Sequence, residues 1–113
     1  MCGIAGYSGG TPEAGEARAT LERMIGDFAF ALFDRREEQL LLARDSAGER
    51  PLHYLHDQGL LAFASMPQAL AGHFRLGINE RRLAEFVSDL PNVGDASFFA
   101  KVRRIEPGHL LRV

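Results

Sequence analysis

The sequence predicts an α+β domain built mainly on antiparallel sheet. Three observations carry that reading. Between Phe28 and Ala64, four short apolar runs alternate with turn residues. Further on, Pro67 follows Ser65 and Asn79 precedes Glu80, each a helix-start signal. The 113 residues are 46% apolar and 25% charged, the composition of one globular domain with one core. The strands gather in the first two thirds of the chain instead of alternating with helices. That pattern favours α+β over a doubly wound α/β fold, with residues 1–113 as a single domain.

The elements follow in order. Ile4 to Ser8 is apolar and stops at Gly9-Gly10, a strand ending in a turn. Thr11 caps a helix with Pro12 at its first position and Glu13 in its first turn, running through Leu21 and Met24. Gly26-Asp27 breaks it. Phe28 to Phe33 is a strand with Phe28, Phe30 and Leu32 on one face and Ala29, Ala31 and Phe33 on the other. Its large–small alternation suits a strand buried between layers. Asp34 to Glu38 is a polar hairpin tip, and Gln39 to Ala43 the returning strand. Arg44 to Arg50 is a loop containing Gly48. Pro51 to Leu55 is a strand, His56 to Gly59 its turn, and Leu60 to Ala64 the strand that pairs back. These four strands read as one meander. Pro67 to Ala71 is a short helix. Asn79 caps a second, Glu80 to Val87, with Leu83, Phe86 and Val87 as its inner face. Leu90 to Ser97 is a loop, Pro107-Gly108 a tight turn, and His109 to Val113 a terminal strand.

Composition narrows function. The net charge is −2 with no basic block, so neither nucleic acid nor an anionic membrane is an expected partner. The apolar run Phe28 to Phe33 is too short to span a bilayer. No basic n-region or long apolar core opens the chain, and a lone cysteine excludes an internal disulfide. Both fit a cytoplasmic location. His53, His56, His73 and His109 lack metal-ligand spacing, so no metal or other cofactor is expected. Arg44, Asp45 and Arg50 read as a packed structural corner held by ion pairs. Glu37-Glu38 and Arg81-Arg82 read as solvated charge, and Ser8-Gly9-Gly10 as a turn before a helix.

The candidate catalytic residue is Cys2. If Met1 is removed, Cys2 carries both a thiol and a free α-amine. The amine titrates at about 7.7–8.0 when unperturbed, so it can act as base for the thiol. Position alone weighs this equally against a small buried cysteine without chemistry.

Five segments shift that balance. They are residues 1–6, Met-Cys-Gly-Ile-Ala-Gly; residues 26–34, Gly-Asp-Phe-Ala-Phe-Ala-Leu-Phe-Asp; residues 43–54, Ala-Arg-Asp-Ser-Ala-Gly-Glu-Arg-Pro-Leu-His-Tyr; Phe63-Ala64-Ser65; and residues 102–109, Val-Arg-Arg-Ile-Glu-Pro-Gly-His. In that order they resemble the glutaminase domain of glutamine-hydrolysing asparagine synthetases, class II glutamine amidotransferases of the N-terminal-nucleophile hydrolase type. The opening is also similar to glucosamine-6-phosphate synthase. The closing segment is more like asparagine synthetases and their relatives, the β-lactam synthetases and lasso-peptide cyclases. The resemblance implies a four-layer αββα sandwich, glutamine as substrate, and Cys2 attack on the glutamine side-chain amide. Ammonia leaves, and water resolves the thioester to glutamate.

Three family segments have no counterpart here. They are an Arg-Gly-Pro-Asp segment for the glutamine carboxylate, an Asn-Gly-Glu segment for the oxyanion, and a Gly-Asp-Thr-Glu-like segment for the ammonium. The family places them between the first helix and the strand at Phe28, where this chain has only Met24-Ile25. The reading is a large internal deletion, an incomplete sandwich with exposed apolar surface, and glutamine hydrolysis absent or severely reduced. Substrate-binding residues stay unassigned, and so does enzymatic competence. The synthetase domain of the full family proteins has no counterpart either. The alternatives are a non-catalytic binding or scaffold remnant acting with a partner chain, as in a split synthetase or lasso-peptide-cyclase-like system, self-association, or a fragment without independent role.

Overall fold

The computed structural model describes residue 19 and residues 22–113. Cys2, the strand expected at Ile4 to Ser8 and the start of the first helix lie outside the described residues. Residues 22–23 are helical, and Met24 falls past the helix end.

Six strands form two antiparallel sheets. They are β1 (Ala29–Asp34), β2 (Gln39–Arg44), β3 (His53–Asp57), β4 (Leu60–Ala64), β5 (Val102–Arg104) and β6 (Leu110–Arg112). One sheet has the order β1-β2-β6 and the other β4-β3-β5. This corrects the single meander. Each hairpin forms as expected, but residues 45–52 carry the chain from one sheet to the other. The third place in each sheet goes to a strand from the carboxy-terminal stretch. Local alternation specifies a hairpin; it does not specify which strand completes the sheet.

Turn chemistry explains both hairpins. At the first tip, the buried Asp34 carboxylate accepts the backbone N–H groups of Arg36 at 2.9 Å and Glu37 at 3.4 Å. At the second, Gln58 (φ 48°) and Gly59 (φ 79°) are both left-handed, the geometry of a two-residue type I′ turn. The strand therefore continues through His56 and Asp57, which the sequence reading gave to the turn.

Two helices follow β4, α1 (Pro67–Phe74) and α2 (Glu80–Val87). Helix α1 starts on its proline, runs three residues past the expected end, and packs on β3, β4 and β5. Its buried Leu70 and Ala71 lie on the sheet that buries Leu55 and Val102. Asn79 caps α2 as expected, accepting Arg82 N–H at 3.2 Å. Its amide also donates to Ser97 O at 3.2 Å, tying the helix start to the loop before β5.

The face of α2 differs from expectation. Leu83, Phe86 and Val87 are exposed, Phe86 to 62%, whereas Arg82 is only 4% exposed. Arg82 lies 5.3 Å from the Phe98 ring centroid and reaches Glu85 at 3.4 Å. The helix docks through its first turn, the Arg82 stem and the Phe86 ring, which meets Phe98 edge-on with centroids 5.3 Å apart, whereas Leu83 and Val87 stay exposed. Arg82 is therefore a packed residue; Arg81, 3.1 Å from Glu85, remains solvated charge.

The core draws on both sheets and on the segments that join them. Leu42, Leu52 and Ile105 form its centre, with Ala29, Leu40, Tyr54 and Leu111 packed around them. Outside it, Phe33 is 56% exposed and Phe63 is also open to solvent. The exposed apolar surface expected from the sequence is present. Among the described residues, strand β1 is an edge strand of its sheet.

Candidate functional site

The loop after β2 is built around two charged side chains that bind backbone. Arg44 donates from Nε to Arg50 O at 2.8 Å, from Nη1 to Ile105 O at 2.8 Å, and from Nη2 to Gly48 O. Its planar fork thus holds both sides of the loop and the exit of β5. Asp45, 1% exposed, accepts the N–H groups of Glu49 at 3.1 Å and Arg50 at 3.2 Å. Its own carbonyl accepts Gly48 N–H at 3.1 Å and Gly108 N–H at 2.8 Å. The corner is packed and structural, as expected. It is held by charge-to-backbone hydrogen bonds, not by the ion pairs that the sequence suggested.

Burial alone raises the Asp45 pKa. The N–H groups of Glu49, Arg50 and Gly48, and then the Arg44 charge, outweigh burial and hold the carboxyl below its ordinary value. His53 shifts downward too. Burial lowers it most; the Ser65 carbonyl pulls the other way, and the positive charges of Arg44 and Arg104 lower it further. A carbonyl only accepts, so the 3.0 Å contact to Ser65 O places the His53 proton on Nδ1.

Both shifts have the same consequence. As pH falls, the unfolded chain takes up each proton before the folded one does. Stability is therefore full above the unfolded pKa values, 6.5 for His53 and 3.8 for Asp45, and is lost as pH falls through the folded ones. The urea midpoint is expected to be flat above about pH 7, to fall below about pH 6.5, and to fall again below about pH 4. In His53→Asn the amide can still donate to Ser65 O without titrating. An equal drop between pH 7 and pH 5 in that variant would assign the upper limb to another group.

An open cavity of about 670 Å³ adjoins the corner. Among the described residues, Met24, Phe28, Ala43 and Leu110 supply apolar walls, and Ser46 and His109 polar ones. His109 Nδ1 donates to Pro107 O at 2.9 Å, which leaves Nε2 as an acceptor. No described hydrogen bond joins Ser46 to His109, so the cavity shows no assembled nucleophile–base pair. Cys2, the one predicted catalytic residue, lies outside the described residues. His53 and His56 point to opposite faces of β3, as their spacing implied. Among the described residues, no group of three or more His, Cys, Asp or Glu could hold a metal ion, and no helix is long and apolar enough to cross a membrane.

Sequence reasoning missed the partners of the corner. Gly48 (φ 71°) lies so close to Pro107 that an added Cβ would stand 2.6 Å from its Cγ. The glycine in the loop was visible; its neighbour from the β5–β6 turn was not.

This corner belongs to the segments that carried the family resemblance. A family model described as a glutamine amidotransferase domain matches residues 11–113. The chain belongs to the glutamine amidotransferase domain family. The match begins after Cys2 and includes the described sheets and helices. A Methanocaldococcus jannaschii protein, provisionally named asparagine synthetase [glutamine-hydrolyzing] 1, is 40% identical over 72 residues, 62% of this chain. Asparagine synthetase [glutamine-hydrolyzing] 2 of Bacillus subtilis is 29% identical over 101 residues, 82% of the chain. Amidase chry2 of Gibberella zeae is 31% identical over 93 residues, 80% of the chain. This amidotransferase domain spans 13% of the length of each of these relatives. It is related to the asparagine synthetases.

Proposed function

We propose that the chain is an abridged class II glutaminase domain of the N-terminal-nucleophile hydrolase type. Its ancestral reaction is hydrolysis of glutamine to glutamate and ammonia through a thioester on Cys2, and that reaction is impaired. One observation carries the impairment. Only residues 24–28 separate the helical residues 22–23 from β1. The resemblance puts the glutamine-binding and oxyanion segments in that interval, and five residues leave no room for them.

The chemical cost follows. Cys2 can offer a thiolate and its own α-amine as base. A tetrahedral oxyanion still needs aimed donors, and losing one costs about 10²–10³ in rate. Glutamine's α-carboxylate needs a guanidinium-like partner to fix the amide near the thiolate. Arg44 is unsuited to that part, because Nε, Nη1 and Nη2 all bind backbone carbonyls.

Ammonia release from glutamine tests the proposal. The expected result is turnover equal to that of Cys2→Ala. Turnover above that control would overturn the impairment. Intact mass after incubation with diazo-oxo-norleucine then reports the thiol itself: no adduct at Cys2 is expected.

Exposed aromatic side chains favour a second reading, a binding or scaffold domain that acts with a partner chain. Phe33 and Phe63 expose the kind of apolar surface that a partner, such as a synthetase-domain protein in the cytoplasm, would cover.

A further inference from the structure

Strand β1 is an edge whose one charged residue, Asp34, lies at its end. It forms one border of its sheet, and among the described residues nothing pairs with its outer side. It contains no lysine and no proline, the residues that commonly blunt such edges. Its outward groups can be identified. Asp45 N–H donates to Phe28 O at 2.9 Å, so the Phe28 backbone faces β2. Backbone groups of successive strand residues alternate between the two sides. Phe30 and Leu32 therefore face β2 as well, whereas Ala29, Ala31 and Phe33 present their N–H and C=O groups outward.

We propose that β1 pairs antiparallel with β1 of a second copy of this chain, about a two-fold axis at Ala31, joining two sheets into one. In that register Ala31 opposes the partner's Ala31, and Ala29 opposes the partner's Phe33. Each pair brings together residues whose backbone groups point outward, so each exchanges two N–H···O bonds. Ala29, Ala31 and Phe33 share one face of the sheet, and a two-fold axis normal to the sheet preserves it. The exposed Phe33 ring then meets the small Ala29 across the junction instead of another aromatic.

Charge selects this register and this occupant. Asp27 and Arg35 flank the strand, both are exposed, and neither has a described hydrogen bond or ion pair. About that axis Asp27, just before one strand, lies at the same end of the junction as the partner's Arg35, the first residue of the hairpin turn after β1, and the two-fold axis repeats the pair. Other registers that match outward residues leave some of Ala29, Ala31 and Phe33 unpaired with one another and separate these two charges. The interface is isologous and closes on itself. Strand β4 is also an apolar edge, but no charged residue lies within two positions of either of its ends.

Sedimentation velocity on the purified chain across a concentration series tests the pairing. The expected result is a shift from 12.5 kDa toward twice that mass as concentration rises. Ala31→Pro removes an outward N–H and leaves the β1–β2 ladder intact, so it is expected to stay monomeric at every concentration. Circular dichroism checks that it folds. Asp27→Arg and Arg35→Asp are each expected to weaken the dimer about tenfold, and the double swap to restore it. Wild-type chain that is monomeric throughout overturns the proposal. So does a dimer that survives Ala31→Pro, or single swaps that the double swap fails to rescue.

Discussion

Arg44→Leu is expected to lower the stability of the domain by about 3–5 kcal/mol, one of the largest single-residue effects in the chain. The guanidinium is the common donor for Gly48 O, Arg50 O and Ile105 O. A charged donor to a carbonyl contributes about 1.5–3 kcal/mol net, and contributions that share one side chain do not add fully. The larger cost lies in what remains. Leucine leaves three carbonyls at a packed corner without donors, and the loop must open to hydrate them. Arg44→Lys supplies one point charge in place of a fork and is expected to recover less than half of the loss. Asp45 provides an internal control. Arg44 is among the groups that hold its carboxyl low, so Arg44→Leu should also move the acid limb of the stability curve upward in pH. Urea unfolding at pH 7 and pH 4 reads both effects. A loss below about 1 kcal/mol would show that the loop holds itself without the clamp.

Gly48→Ala is expected to cost about 2–4 kcal/mol, from two separable causes. At φ 71° any Cβ crowds its own backbone. The same Cβ would stand 2.6 Å from Pro107 Cγ and 3.0 Å from Pro107 Cβ. Pro107 belongs to the turn between β5 and β6, so the clash pushes apart the segments that Arg44 ties together. Pro107→Gly in the Gly48→Ala background removes the steric part and leaves the conformational part. Recovery of roughly half the loss is expected. If the double variant recovers nothing, the backbone conformation alone sets the requirement for glycine. Thermal unfolding suffices for the comparison, at roughly 4–8 °C per kcal/mol for a domain near this size.

Much of the secondary structure was legible because its causes are local. Asn79 supplies a side-chain acceptor at the right distance from Arg82 N–H, so the start signal lies within four residues. Pro67 fixes its own φ and lacks the donor that a first helical turn leaves idle. The alternation from Phe28 to Phe33 gave the right faces for β1. It could not say that β1 lies at an edge, because large–small alternation looks the same whether or not another strand follows. The apolar stripe of α2 misled for a related reason. Leu83, Phe86 and Val87 have core-facing spacing, yet Phe98 is met by the Arg82 guanidinium and the edge of Phe86, and Leu83 and Val87 are left exposed.

The sequence by itself determined the hairpins, the helix starts, the glycine-bearing corner and membership of the amidotransferase family. Each rests on dihedral preferences, capping or residue order within a short window. Tertiary structure decided which strands share a sheet, what Arg44 and Asp45 hold, and which face of α2 is covered. Those answers depend on groups far apart in the chain. Arg44 binds the carbonyl of Ile105, 61 residues away, and β2 is completed by β6 from the far end. Pairwise distances of that kind are set when the two sheets close on Leu42, Leu52 and Ile105, and no local pattern encodes them.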